Sequence, residues 1–152
     1  MHLPTATTPS TRHAVDMTQA RSQRVSADIA GTYHCVQRCV RRAFLCGVDR
    51  YTGQSYEHRK QWVEARIRLL ADCFAVSIQA YAVMSNHLHL VVHMDPAVAA
   101  EWTEDEVAAR WVRLFPPRED DDVAIADKCL RLVANPPKLE TVRARLADLS
   151  WL

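Results

Sequence analysis

The chain has 152 residues, 49% of them hydrophobic and 24% charged, with a formal net charge of +1. That length suits one domain with a real core, and the composition is that of an ordinary globular protein, not a disordered or fibrous one. It contains no apolar run of about 18 residues, so no transmembrane helix is expected.

Residues 1–28 are rich in Thr, Ser and Gln and show no clear period, which reads as a flexible leader. Its first ten residues lack the apolar core of a signal peptide, so the cytoplasm is the expected location. Gly31 to Val40 alternates as a strand does: Tyr33, Cys35, Gln37 and Cys39 fall on one face, and His34, Val36, Arg38 and Val40 on the other. Residues 43–55 hold two of the three glycines and read as a loop. Tyr56 to Phe74 is a helix, with Trp62, Ile67, Leu70 and Phe74 as its apolar positions and Trp62 as a core anchor. A hairpin follows over 76–94: Ile78 to Met84, a tight turn at Ser85-Asn86, and a second strand opening at His87. Pro96 ends it. Thr103 and Glu106 form a capping box that starts a helix carrying Val107, Trp111 and Leu114, which Pro116-Pro117 stops. The acidic run Glu119 to Asp122 fronts a helix over 123–133, where the helix dipole explains it more simply than a metal does. Asn135-Pro136-Pro137 breaks that helix, and Leu139 to Leu152 forms the last one. The order β-α-β-β-α-α-α predicts an α+β fold. Its core is a small antiparallel or mixed sheet, ferredoxin-like in its β-α-β-β order, backed by helices, with extra C-terminal helices.

The segment Asn86-His87-Leu88-His89-Leu90-Val91-Val92-His93 stands apart. In a strand, His87, His89, Val91 and His93 share one face while Leu88, Leu90 and Val92 share the other, which wants a core. His87 and His89 then stand about 7 Å apart at the Cα level, close enough to grip one cation. Such a pair is either a metal-binding edge of a nuclease-like site or a chance pattern; its place at the start of a hairpin strand favours the former. His93 reads as a polar residue at a strand end. A metal hydrolase would need a carboxylate base beside the pair, and Asp95 lies past the strand end.

Five cysteines, an odd number, argue against a disulfide framework. The spacing of Cys35, Cys39 and Cys46 matches no zinc finger or ribbon, and buried thiols are the simpler reading. The small net charge conceals an asymmetry. Residues 21–68 hold ten Arg and Lys against four Asp and Glu, whereas residues 101–152 hold eight against eleven. A basic front half suits a polyanionic partner; a solvated helix face with scattered arginines accounts for the charge equally well.

Two blocks resemble a known family. Tyr33-His34-Cys35-Val36-Gln37-Arg38, running on to Gly47, and Tyr81-Ala82-Val83-Met84-Ser85-Asn86-His87-Leu88-His89 are similar to motifs of the HUH-type single-strand transposases, in the group related to the REP-associated tyrosine transposases. The resemblance covers about residues 30–115 and continues weakly beyond. It implies a leader over 1–28, a transposase-like domain over 29–115 and a helical extension over 116–152. It implies DNA as partner, single-stranded or hairpin, no membrane, and a monomer or homodimer. It also implies a divalent cation, magnesium or manganese, held by His87, His89 and a third ligand that the sequence does not identify. Arg38, Arg41 and Arg42 become phosphate contacts, and Asn86 shapes the turn and touches DNA. In the family, a tyrosine from a later helix cleaves and rejoins the strand. Here Tyr33, Tyr51, Tyr56 and Tyr81 all precede the histidine pair, and Tyr81 is expected to serve the core. Leu149-Ser150-Trp151 resembles the lead-in to the nucleophile helix. The chain therefore reads as a remnant truncated before that nucleophile, which binds DNA and metal but does not cleave alone. The alternative is a non-catalytic cytoplasmic binding module with structural histidines.

Overall fold

The computed structural model describes residues 29–40, 44–119 and 121–152. The expected leader over 1–28, Arg41 and Arg42 lie outside them. Alternation over Gly31–Arg38 yields strand β1, and the hairpin yields β2 (Val76–Val83) and β3 (His87–Met94). The helices are α1 (His58–Cys73), α2 (Pro96–Glu101), α3 (Glu104–Leu114), α4 (Asp122–Val133) and α5 (Pro136–Leu146), followed by a 3₁₀ turn at Leu149–Trp151. The fold is α+β. Among the described residues there is one sheet, of order β1-β3-β2, and both pairings are antiparallel. No described helix is long and apolar enough to cross a membrane.

Helix boundaries follow local chemistry. Thr103 and Glu106 make the expected capping box: the Glu106 amide donates to Thr103 Oγ1 at 3.2 Å, and the Thr103 amide donates to Glu106 Oε2 at 2.7 Å. Asp121 caps α4 by accepting from the Ala124 amide at 2.7 Å, so part of the acidic run serves a helix N-terminus. Two prolines open helices where the sequence reading saw only breaks. Pro96 is at the start of α2, capped by Asp95, and Pro136 is at the start of α5, capped by Asn135. The last expected helix, Leu139 to Leu152, instead ends at Leu146 and resumes as the 3₁₀ turn.

The apolar interior has two parts. Cys73, Phe74, Val107, Ala108, Leu114, Leu132, Leu139, Val142 and Leu146 pack the helices α1, α3, α4 and α5 on one another. Val92, Met94 and Leu149 form the second part against one face of the sheet, joined by Tyr33, Cys35, Val76, Ile78 and Leu152. Backbone bonds join the two: the Ala75 amide donates to Leu146 O at 2.9 Å, and the Asp95 amide to Ala75 O at 3.0 Å.

Trp62 is not the expected anchor, being 65% exposed. At about 100° per residue, Ile67, Leu70 and Phe74 lie on one stripe, whereas Trp62 is five residues before Ile67 and points roughly 140° away from it. Its ring meets His58 edge-on at 4.9 Å. Tyr81 lies in the sheet as expected but is 44% exposed, so it is not a core residue. Of the five cysteines, Cys46 and Cys73 are buried and Cys35, Cys39 and Cys129 half-buried, and no disulfide joins them.

Candidate functional site

The antiparallel register decides what meets on each face. Arg38 stands opposite His87, Val36 opposite His89, His34 opposite Val91 and Thr32 opposite His93. On the other side of β3, Ala82 stands opposite His89 and Ala80 opposite Val91. A one-residue register shift between Ile78 and Ala80 puts Ala80 and Ala82 on this face and turns Tyr81 to the other. The result is a face with four histidines, His34, His87, His89 and His93, and one arginine, flanked by small side chains. Its β1 and β2 members are exposed.

His34, His87 and His89 form one cluster. His87 and His89 have ring centroids 4.8 Å apart at an interplanar angle of 74°. His34 and His89 lie end to end, their rings 17° from parallel with centroids 5.1 Å apart, and His34 Nε2 lies 2.9 Å from His89 Nδ1. His87 Nδ1 lies 2.7 Å from Asn86 Oδ1. His93 is removed from this cluster and pairs through Nδ1 with Thr32 Oγ1 at 3.0 Å.

The turn carrying Asn86 is held from outside the hairpin. The Cys39 amide donates to Asn86 O at 2.9 Å, and the Leu45 and Cys46 amides donate to Ser85 O at 2.6 and 3.3 Å. The loop leaving β1 thus clasps the β2–β3 turn. Arg59 Nη1 steadies that loop by donating to Phe44 O at 2.9 Å, and its guanidinium lies over Tyr56, 4.3 Å from the ring centroid.

Partial burial, then the neighbouring charges of His87, His34 and Arg38, hold His89 below the ordinary imidazole value of 6.5. His89 is therefore biased toward its neutral form, the form that ligates a cation. Geometry permits a shared ion. A metal–nitrogen bond of about 2.1 Å sets each ring centroid about 3.2 Å from the metal, so imidazoles at right angles on one cation stand about 4.6 Å apart. The His87–His89 spacing of 4.8 Å meets this. The direct contact between His34 and His89 leaves no room for a metal between those two nitrogens. Among the described residues, no group of three or more His, Cys, Asp or Glu side chains is placed to hold a metal ion. Among the described histidines of this cluster, His87 and His89 are the pair whose ring spacing is compatible with one shared cation.

Of the sequence-derived site residues, His87, His89, Asn86 and Arg38 come together here. Asp95 does not: it caps α2, accepting from the Ala97 amide at 3.0 Å. His34 was not among them, although its alternation already put it on the face of Arg38. No protein-family model, no curated protein and no solved structure matches the chain.

Proposed function

We propose that this domain binds DNA, single-stranded or hairpin, across the open histidine face of its sheet, with a divalent cation held by His87 and His89. The observation that carries the reading is the gathering of His34, His87 and His89 on an accessible face, with Arg38 opposite His87. The two imidazole nitrogens leave open coordination positions, and phosphate and water oxygens in those positions are what suit the site to manganese or magnesium. When bound, such an ion neutralises charge on the non-bridging oxygens of a phosphodiester as a Lewis acid. Arg38 supplies a fixed positive charge to the same phosphate backbone, and Asn86 keeps the turn and the first imidazole in place. The likeness of the two motifs to HUH-type transposases points the same way. It suggests a cytoplasmic domain of a mobile element, acting as a monomer or homodimer.

Cleavage by the sheet's own tyrosines is not part of this proposal. Tyr33 pairs with Val92 and Tyr81 with Leu90, so both belong to the face opposite the histidines. Strand cleavage and rejoining would need a tyrosine hydroxyl brought to the histidine face from elsewhere.

Fluorescence anisotropy with a labelled single-stranded oligonucleotide tests the reading. Manganese should tighten binding by the wild-type protein and have no effect on the His87→Ala/His89→Ala variant, with no covalent protein–DNA adduct on denaturing gels. Binding indifferent to manganese in both proteins would favour the binding module with structural histidines. An adduct would contradict binding without cleavage.

A further inference from the structure

We infer that His34 and Asn86 are positioning residues that fix the tautomers of the histidine pair, holding both rings with the proton on Nδ1 and the Nε2 lone pair open to a cation. The inference rests on the metal-binding reading above but makes a claim of its own about the free protein.

The Asn86–His87 contact decides the first ring. The Asn86 atom 2.7 Å from His87 Nδ1 is the amide oxygen, which only accepts, so Nδ1 must carry the proton. Nε2 of His87 is then left with its lone pair. The second ring faces a nitrogen: His34 Nε2 lies 2.9 Å from His89 Nδ1, so one proton lies between them. Placed on His89, it makes Nδ1 the donor and frees Nε2, which matches His87. Placed on His34, it would leave His89 protonated at Nε2 and closed to a metal. A cation on Nε2 also acidifies the Nδ1 proton and strengthens its bond to an acceptor, which is why ligating imidazoles are so commonly paired through their second nitrogen. The acceptors come from different parts of the chain. Asn86 precedes His87 directly, whereas His34 reaches His89 from the neighbouring strand, diagonally across the β1–β3 ladder. The two rings lie end to end and 17° from parallel, so this in-plane contact fixes ring orientation as well as protonation.

Long-range proton–nitrogen spectra of the histidine side chains at about pH 8, where imidazoles are neutral, read the tautomer without any metal. His87 and His89 should both show the Nδ1–H pattern in place of the Nε2–H form that a free histidine favours. In His34→Leu, His89 should revert to Nε2–H while His87 keeps its state. In Asn86→Ala, His87 alone should revert. Manganese affinity should fall about 10- to 100-fold in His34→Leu, the usual cost of losing such a partner. It should largely recover in His34→Gln, whose amide oxygen takes the place of Nε2 as acceptor. Wild-type His89 in the Nε2–H form overturns the inference whether or not any variant folds. So does a His34→Leu protein with wild-type circular dichroism and undiminished manganese affinity. Nδ1–H rings in a wild-type protein that binds no manganese would uphold the positioning role and overturn the metal-binding reading instead.

Discussion

The three imidazoles of the cluster differ in how readily the sequence gives them up. His87 and His89 are two residues apart on one strand, so period-two alternation alone puts them on one face. His34 is 55 residues from His89, and only the β1–β3 register brings it within 2.9 Å. No local pattern encodes that pairing; the clue available in sequence was that His34 and Arg38 share the polar face of an otherwise half-apolar strand. The cluster has a consequence for stability. His89 titrates below 6.5 in the folded protein, chiefly because its ring is partly desolvated and secondarily because His87, His34 and Arg38 surround it. Between that lowered value and 6.5 the unfolded chain binds a proton that the folded chain does not. Its contribution to stability is therefore complete above 6.5 and declines as pH falls through the folded value. Urea unfolding across this range should show the wild-type protein losing stability toward acid, and His89→Gln should flatten that limb. Equal slopes in the two proteins would remove His89 as the cause.

Elements were legible where their ends carry chemistry of their own. The capping box at Thr103, the hairpin turn before His87 and the stop at Pro116 are all short-range signals, and each falls where the structure has it. Trp62 misled because it is apolar yet off the stripe of Ile67, Leu70 and Phe74. The proline-initiated helices α2 and α5 were missed because Pro stops one helix and starts another equally well, and the capping Asp95 and Asn135 decide between the two. The loop between β1 and α1 was legible only as a loop, yet it fastens the site. Gly47 in that loop has φ +85°, its carbonyl accepts from the Tyr56 amide at 2.7 Å, and a Cβ there would lie 3.6 Å from Ser85 Cβ. Gly47→Ala meets no steric block, so its cost is the backbone's, about 1–2 kcal/mol for an L residue in the left-handed region. Gly53, at φ +72° with nothing within 4 Å, is the control. Chemical unfolding should show similar losses for Gly47→Ala and Gly53→Ala, while only Gly47→Ala should weaken manganese binding, through the turn it abuts. Equal manganese affinities in the two variants would detach the loop from the site.

At the scale of the whole molecule, one face of the sheet rests on Leu149, Leu152 and their neighbours, while the β1 and β2 side chains of the other face are exposed. The sequence implied this division, since Leu88, Leu90 and Val92 alternate with histidines, but it did not say which strand would lie beside them. With β3 in the centre, the histidine pair is flanked by a strand on each side, and small alanines from β2 leave it accessible. The helices α3, α4 and α5 pack among themselves and with α1, so this face can serve a ligand without disturbing the larger part of the core. Whether that ligand includes a cation is the claim on which the account turns. Electron paramagnetic resonance of free manganese, titrated with protein in the absence of DNA, measures it directly. The account predicts about one bound ion per wild-type chain and none for His87→Ala/His89→Ala with its fold intact. A wild-type protein that leaves the manganese signal unchanged, or a double variant that binds as the wild type does, would contradict it.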